Sequence, residues 1–339
     1  MIPSMEALQK EGESGRRVLS KYTRWLTVPL AIMQSYGMIM LMNQQVPVVN
    51  NIGSLSVLIP IILTITAGTI FLMWLGELMT EKGIGNGISL IIMTGIISSL
   101  PALLFSGVQI AEGNQKLYVM LGILALVTLA LTVFIVLVNE SKRQISLSYT
   151  GRSAAGAPTF FPVRINQAGM IPIIFATSMI LFPSILASFF VNATTPWIRE
   201  TAQSVLAQTS GSGTSWGYII ALFIFVFFFT YFYVSITFKP EEIADNLQKR
   251  GSYITGVRPG KETSSYLSMV SMRLNLWGGL FLAFIAAFPL VLSNVFSEMN
   301  FGTVPFLISG ASLLIIVGVV LDLIRQINGY LNMNDYEKL

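Results

Sequence analysis

The sequence predicts an all-α, polytopic membrane helix bundle with about eight transmembrane helices, and two features of its composition indicate this. Hydrophobic residues make up 53% of the 339 residues, and charged residues only 11%. A soluble domain has about 25% charged residues, so a soluble chain this apolar could not cover its surface with polar groups. The apolar residues also gather in segments long enough to cross about 30 Å of hydrocarbon. A bilayer is therefore the solvent that fits this chain.

Eight apolar segments of about 20 residues follow one another along the chain. Because the chain opens with a charged stretch, the first segment is predicted to be a retained span and not a cleaved signal peptide. Prolines inside several segments are tolerated where neighbouring helices satisfy the freed carbonyls. The predicted spans are 23–43, 54–79, 86–107, 117–138, 167–191, 216–238, 274–297 and 303–325.

The distribution of Lys and Arg predicts the orientation. If the N-terminus is cytosolic, the cytosolic segments hold 18 of the 20 basic residues, and the other side holds only Lys116 and Arg199. The positive-inside rule favours this arrangement over its inverse. Both ends of the chain are therefore predicted to be cytosolic. The cytosolic segments are 1–24, 74–86, 139–165, 239–273 and 322–339.

Two of these cytosolic loops are longer than a connector needs to be, and long ordered loops tend to carry function. In 139–165 the β-prone letters QISLSY predict a short protruding hairpin. In 239–273 the letters EEIADNLQKR predict a short helix with its acidic residues first and its basic residues last. A tight turn is then predicted at 256–260, around Arg258.

Several classes of function lose support from the residue inventory. The chain has no Cys and no His, which removes thiolate and histidine catalysis and the usual zinc sites. The glycine-dense letters GIGNG at 83–87 fit a turn between two spans better than a nucleotide site. The centres of the predicted spans carry no charged residue, which disfavours a coupled transporter. If the chain is an enzyme, its chemistry must come from carboxylates, Ser/Thr, Tyr or Lys; we expect no cofactor and no metal site.

The polar residues in or beside spans leave two interpretations open. Gln34, Asn166, Thr177 and Ser178 fit ordinary interhelical hydrogen bonds, which are worth about 0.6 kcal/mol on average. They also fit a gated seam between helices. The isoleucines of the spans are, by composition alone, ordinary apolar residues, although a hydrophobic constriction can gate a pore.

Five stretches of the sequence form long and specific motifs. They are EALQKEGESGRR at 6–17, FLMWLGELMTEKGIGNGISLIIMTGI at 71–96, INQAGMIPIIFATSMILFP at 165–183, KPEEIADNLQKRG at 239–251 and GVRPGKET at 256–263. Together they closely resemble the bacterial SecY family, the channel subunit of the general protein-secretion translocon. The resemblance covers essentially the whole chain.

The resemblance implies a ten-helix channel whose two halves enclose an hourglass pore. Such a channel moves unfolded polypeptides across the inner membrane and opens sideways to admit signal sequences and membrane helices into lipid. It performs no bond chemistry, because the SecA ATPase or a translating ribosome supplies the energy. The resemblance also implies the small partner subunits SecE and SecG.

The resemblance further implies roles for particular residues. Four isoleucines match the pore ring, which closes around a chain like a gasket: Ile88, Ile92, Ile174 and Ile315. Five residues match the lateral gate or its polar cluster: Gln34, Asn166, Thr177, Ser178 and Phe182. The predicted docking residues for the motor or ribosome are Lys142, Arg143, Lys249, Arg250 and Arg258.

The sequence departs from the family at its start, where the match lacks the first two spans and the plug. Residues 1–107 are then expected to be the rest of the N-terminal half, with three spans, and residues 108–339 the C-terminal half, with five. Two alternatives stay open at this point. One is a polytopic solute transporter, and the other is an inactive truncated translocon homologue.

Overall fold

The structure is a computed structural model that describes residues 13–45, 54–111, 115–149, 159–191, 194–209, 215–298 and 309–336. It is mostly helical. The helices are α1 (Glu13–Gln45), α2 (Leu55–Lys82), α3 (Gly87–Ala111), α4 (Gln115–Glu140), α5 (Ile171–Phe190), α6 (Pro196–Thr209), α7 (Trp216–Thr237), α8 (Pro240–Lys249), α9 (Lys261–Glu298) and α10 (Gly310–Tyr336). The strands are β1 (Lys142–Tyr149), β2 (Thr159–Arg164) and β3 (Ser252–Ile254).

Seven helical segments within the described residues are long and apolar enough to cross a bilayer. They correspond to the predicted second to eighth spans and confirm the polytopic helix-bundle class. The predicted first span, 23–43, lies inside α1, a 33-residue helix that is not one of the seven. The crossing by α1 stays a prediction.

Two compact units divide the chain. Unit 1 consists of Met1–Ile91 and Leu181–Ser210, and unit 2 consists of Ile92–Ile180 and Gly211–Leu339. Helices α3 and α5 therefore each contribute residues to both units. The predicted division between residues 107 and 108 follows the order of the sequence and stays a prediction.

In unit 1, glycine allows the chain to turn back tightly between α2 and α3. A Cβ added to Gly87 would lie 2.1 Å from the carbonyl oxygen of Gly76, so only glycine fits there. Asn86 caps α3, because its Oδ1 accepts hydrogen bonds from the backbone N–H groups of Ile88 (3.1 Å) and Ser89 (3.2 Å). The predicted tight turn at GIGNG is confirmed.

The rest of unit 1 gathers around the second half of α5. The rings of Tyr36 on α1 and Phe189 on α5 stack with their centroids 4.7 Å apart. Helix α6 was not predicted as an element; it covers the same part of α5 with one apolar side. The buried cluster between them consists of Ile185, Ala187, Ala202 and Leu206.

Unit 2 has a continuous core built on α9. Leu282 and Ile285 of α9 are fully buried, and they belong to a cluster with residues of α4, α5, α7 and α10. At the start of α10 the two backbones come very close, since a Cβ added to Gly310 would lie 1.8 Å from the carbonyl oxygen of Ile285. Such small residues at helix contacts are common in membrane proteins, where packing drives association.

Both long loops of unit 2 join in one three-stranded sheet with the order β2-β1-β3. Strands β1 and β2 form the predicted antiparallel hairpin, which is thereby confirmed. The pairing of β3 with β1 was not predicted. One face of the sheet, carrying Ile145, Val163 and Ile254, packs against Leu267 and Val270 of α9. This packing fixes the sheet to the membrane-crossing helix.

Candidate functional site

The hairpin presents basic side chains at the end where it leaves α4. Lys142 and Arg143 are the first residues of β1, and both are exposed. Lys142 lies directly across the ladder from Arg164 of β2, so these two cations share one face of the sheet. Arg164 is exposed as well and was not among the predicted docking residues. Its position opposite Lys142 follows only from the register of the hairpin.

The predicted helix in the second loop is confirmed as α8, and it adds two exposed cations. Glu241 and Glu242 lie in its first turn and Lys249 in its last, which suits the helix dipole. Arg250 follows as the C-terminal cap, and its backbone N–H donates to the carbonyl of Asn246 at 3.2 Å. The side chains of Lys249 and Arg250 are exposed.

The predicted turn around Arg258 is confirmed and is held firmly. Gly256 and Gly260 have φ angles of 83° and 95°, a backbone conformation that favours glycine. The hydroxyl of Thr263, which is 2% exposed, donates to the carbonyl of Arg258 at 2.8 Å. The Arg258 side chain itself is exposed. The turn therefore presents a cation from a fixed backbone.

Two of the predicted pore-ring residues, Ile174 and Ile315, lie on α5 and α10 of unit 2. Their sequence neighbours Ile173 and Leu314 are each 1% exposed and belong to the core cluster. Ile174 is half-buried and Ile315 is 8% exposed, and neither belongs to that cluster. Both helices therefore direct one residue into the core and the adjacent isoleucine to a different side.

The other two predicted ring residues lie on α3. Ile88 and Ile92 are one turn apart and thus share a face of this helix. Ile88 is 46% exposed and Ile92 is half-buried. The convergence of all four isoleucines into one ring stays a prediction.

The predicted lateral-gate residues have different surroundings. Gln34 is exposed on α1, and Phe182 is 45% exposed on α5. The hydroxyls of Thr177 and Ser178 donate to the carbonyl of Ile174 within their own helix, at 3.0 and 2.8 Å. Because these hydroxyls have partners inside α5, they can face lipid or a moving neighbour helix without an unpaired polar group. Their role in a gate stays a prediction.

Asn166, the fifth predicted gate residue, is buried and connects two elements. Its Nδ2 donates to Oδ1 of Asn139 at the end of α4, at 2.7 Å. Its own Oδ1 accepts a hydrogen bond from the backbone N–H of Gly169, which precedes α5, at 3.1 Å. Sequence reasoning missed Asn139, because an asparagine at the end of a span is ordinary until its partner is known.

The helices and the sheet together define a class of protein: a multi-pass membrane protein that displays a basic surface outside its spans. Within the described residues no Asp, Glu, Lys or Arg is among the buried residues, and no group of acidic residues is arranged to hold a metal ion. The exposed cations belong to ordered turns and strands, which is typical of a surface for a partner macromolecule.

Comparisons with known proteins specify the family. The SecY family model matches residues 1–324. Protein translocase subunit SecY of Streptomyces scabiei is 38% identical over 353 residues, covering 99% of this chain and 78% of the relative. The protein of the same name from Escherichia coli (strain K12) is 37% identical over 344 residues, covering 99% of this chain and 75% of the relative. The chain belongs to the SecY family.

Solved structures show the same fold. One, described as a SecY protein whose plug domain stabilises the closed state of the translocation channel, has a TM-score of 0.66 and covers 92% of this chain and 74% of its own. Another, described as a protein conducting channel, has a TM-score of 0.61 and covers 92% of this chain and 73% of its own. Both are 18% identical in sequence to this chain.

Proposed function

We propose that this chain is a protein-conducting channel subunit that exports unfolded polypeptides and inserts membrane proteins laterally into the bacterial inner membrane. The observation that carries the proposal is the SecY family match over residues 1–324. Relatives named protein translocase subunit SecY, at 35–38% identity, support it. The work of such a channel is transport, so the chain needs no catalytic residue of its own.

The pore proposal rests on the apolar side chains of Ile174 and Ile315. A ring of branched apolar groups excludes water when it is empty and closes around a chain when it is occupied. The two helices that carry these residues hold them beside the unit 2 core, which supports a fixed constriction. Ile88 and Ile92 complete the ring in this proposal. Gln34, Asn166, Thr177, Ser178 and Phe182 form the seam through which a signal sequence leaves for the lipid.

The docking proposal rests on the exposed cations of the sheet, α8 and the Arg258 turn. Positive charge suits both an acidic protein surface and the phosphates of ribosomal RNA. We assign this surface to the SecA ATPase and the translating ribosome, and SecE and SecG to the lipid-facing sides of the helices. The positive-inside distribution of Lys and Arg supports an orientation with both ends of the chain in the cytosol.

Photo-crosslinking tests the pore assignment. A photoreactive amino acid is placed at Ile174 or Ile315, and a stalled export substrate is driven into vesicles that contain the channel and its partner subunits. Phe228 of α7, which is 60% exposed, is the control position. We expect crosslinks to the substrate from Ile174 and Ile315 and none from Phe228. Equal crosslinking from all three positions would contradict the pore.

Two further outcomes would favour the alternatives. Ion flux that depends on a small solute, in liposomes containing the chain, would indicate a transporter. Failure of the chain, expressed in the membrane, to restore growth of a SecY-depleted strain would indicate an inactive homologue. Restored growth would exclude that homologue.

Charge reversal tests the docking surface. Arg258→Glu places an acid on the rigid turn, so we expect motor-driven export to fall at least about tenfold, because a like charge facing an acidic partner is repelled. Lys261→Glu reverses another exposed charge three residues later and is the control. Export rates in vesicles with equal amounts of inserted protein measure both. Equal loss in the two variants would show a general effect of charge and contradict the assignment of Arg258.

A further inference from the structure

A junction of unit 2 joins the sheet to two helices that carry predicted pore residues. We call residues 139–141 and 164–169 the sheet base. The backbone N–H of Ile165 donates to the carbonyl of Ser141 at 3.1 Å, which closes the hairpin at its root. The Asn166 side chain then ties Asn139 to Gly169, two residues before α5 begins. The sheet base thus fixes the start of the helix that carries Ile174.

Arg325 of α10 is bound to the same sheet base. Its guanidinium donates to the carboxylate of Glu140, the last residue of α4, and to the backbone carbonyl of Asn139 at 3.4 Å. A third bond, to Oδ1 of Asp322 at 3.1 Å, orients the guanidinium from within α10. The Arg325 side chain is 25% exposed, so solvent screens these bonds only in part. A planar fork with several donors suits such a three-way junction.

Packing around α10 differs between its first turn and the turns that follow. Its first turn is fixed by the close backbone contact between Gly310 and Ile285. Its later turns instead line a cavity of about 220 Å³ together with the sheet base. A Cβ added to Gly318 in this wall would meet no atom within 4 Å. Leu314 and Val317 pack in one cluster with Ala168 of the sheet base, and Arg325 adds hydrogen bonds to Asn139 and Glu140 beyond that packing.

The cavity beside the sheet base is also lined by residues with unpaired hydrogen-bond donors. The Nδ2 atom of Asn139, the Nε2 atom of Gln167 and the Nε atom of Arg325 are buried without a hydrogen-bond partner among the described residues. All three residues line the cavity. Buried unpaired donors are costly, so a rearrangement of this region that paired them would be favoured.

We propose that Arg325 is a positioning residue through which the three-stranded sheet holds α10, and with it Ile315. Ile315 lies ten residues before Arg325, which is about 15 Å along a helix. A partner that binds Lys142 or Arg164 displaces β1 or β2, and both strands adjoin the sheet base. Arg325 transmits that displacement to α10. This inference rests on the proposed function and adds a connection between docking and the pore.

The test compares the Arg325–Glu140 pair with a matched pair in unit 1. Arg24 of α1 donates to Glu77 of α2 through Nε at 3.1 Å, so it also joins two helices by an ion pair. The variants are Arg325→Gln, Glu140→Gln, the double variant and Arg325→Lys, with Arg24→Gln as the control. Motor-driven export into vesicles is measured as a function of motor concentration, at equal amounts of inserted channel.

We expect Arg325→Gln to lower the maximal export rate roughly threefold to tenfold, which is less than the full loss of a charge-assisted hydrogen bond because solvent partly screens the pair. The motor concentration for half-maximal rate should stay unchanged, because the docking cations are intact. Glu140→Gln should lower the maximal rate similarly, and the double variant no further than either single change. Arg325→Lys should keep part of the rate, and Arg24→Gln should lower it less than about twofold.

Three results would overturn the inference. They are an unchanged maximal rate in Arg325→Gln, a change only in the half-maximal motor concentration, and losses that add in the double variant. Each of these leaves the wild-type channel active, so the proposed function would stand. An inactive wild-type channel would instead contradict the proposed function itself.

Discussion

The two units contain helices of similar apolar composition that are buried to very different extents. In α2 of unit 1, 11% of the most apolar 18-residue stretch is buried inside the protein, whereas in α9 of unit 2 the share is 50%. Unit 2 has a continuous core around α9, while the buried cluster of α5 and α6 in unit 1 has four residues. Apolar composition therefore predicts that a helix enters the membrane, but not how much of it contacts protein.

The physical reason lies in the solvent. In water an exposed apolar helix face is unfavourable, whereas lipid tails are as apolar as leucine, so no hydrophobic force drives two such helices together. Close packing and polar contacts decide which faces meet. Unit 2 has the α9 and α10 backbones in close contact at Gly310 and a sheet packed onto α9. These features make unit 2 the stable support for the docking surface.

Truncation of a core leucine should show the largest difference between the units. Leu282→Ala removes a fully buried side chain of unit 2, and we expect a loss of about 2–4 kcal/mol in the free energy of unfolding, from the cavity that it leaves. Ile185→Ala in the small unit 1 cluster should cost about half as much. Unfolding in mixed detergent micelles measures both. Equal losses would mean that the two units are equally well packed.

Adding one methyl group to α10 should have opposite effects at Gly310 and at Gly318. Gly310→Ala places a Cβ 1.8 Å from a backbone oxygen, so the helices must move apart, and we expect a loss of about 1–3 kcal/mol. Gly318→Ala points into open space, and the better helix propensity of Ala should make it neutral or stabilising by up to about 1 kcal/mol. The same unfolding assay measures both. A destabilising Gly318→Ala would contradict the open wall of the cavity.

The smallest effect is expected from the ion pair of unit 1. The side chains of Arg24 and Glu77 are 53% and 29% exposed, so Arg24→Gln should cost less than about 1 kcal/mol. Screening by salt should remove the difference between variant and wild type at about 1 M ionic strength, where the Debye length is about 3 Å. Unfolding at low and high salt checks this. A loss that salt does not change would show that Arg24 packs as well as pairs.

Local patterns predicted the local elements. The apolar runs predicted the spans, the order of acids and bases in EEIADNLQKR predicted α8, and the glycines around Arg258 predicted the turn. Even so, α9 begins at Lys261, 13 residues before the predicted span 274–297. Its first turns carry the polar residues KETSS, and an apolar window does not count them as part of a span.

The features that the sequence did not predict all depend on distant partners. Strand β3 has three residues, too few for a period-2 pattern, and exists because β1 offers an edge. Arg164 joins the basic face through the hairpin register, and Arg325 meets Glu140 across 185 residues of sequence. Helix α6 mixes apolar and polar residues over 14 positions, too few for a predicted span, and only its contact with α5 shows which side is buried.

The pairing of β1 with β3 also sets an order of assembly. Ser148 and Thr255, whose hydroxyls are 3.1 Å apart, are separated by 107 residues that include α5 and α7. A ribosome makes about 5–20 residues per second, so the edge of β1 waits roughly 5–20 seconds for its third strand. During that interval the hairpin has an unpaired edge, which is a site for wrong pairing. Completion of the sheet thus requires that the intervening helices have been made, and a nascent chain that stalls before residue 252 keeps this edge of β1 open.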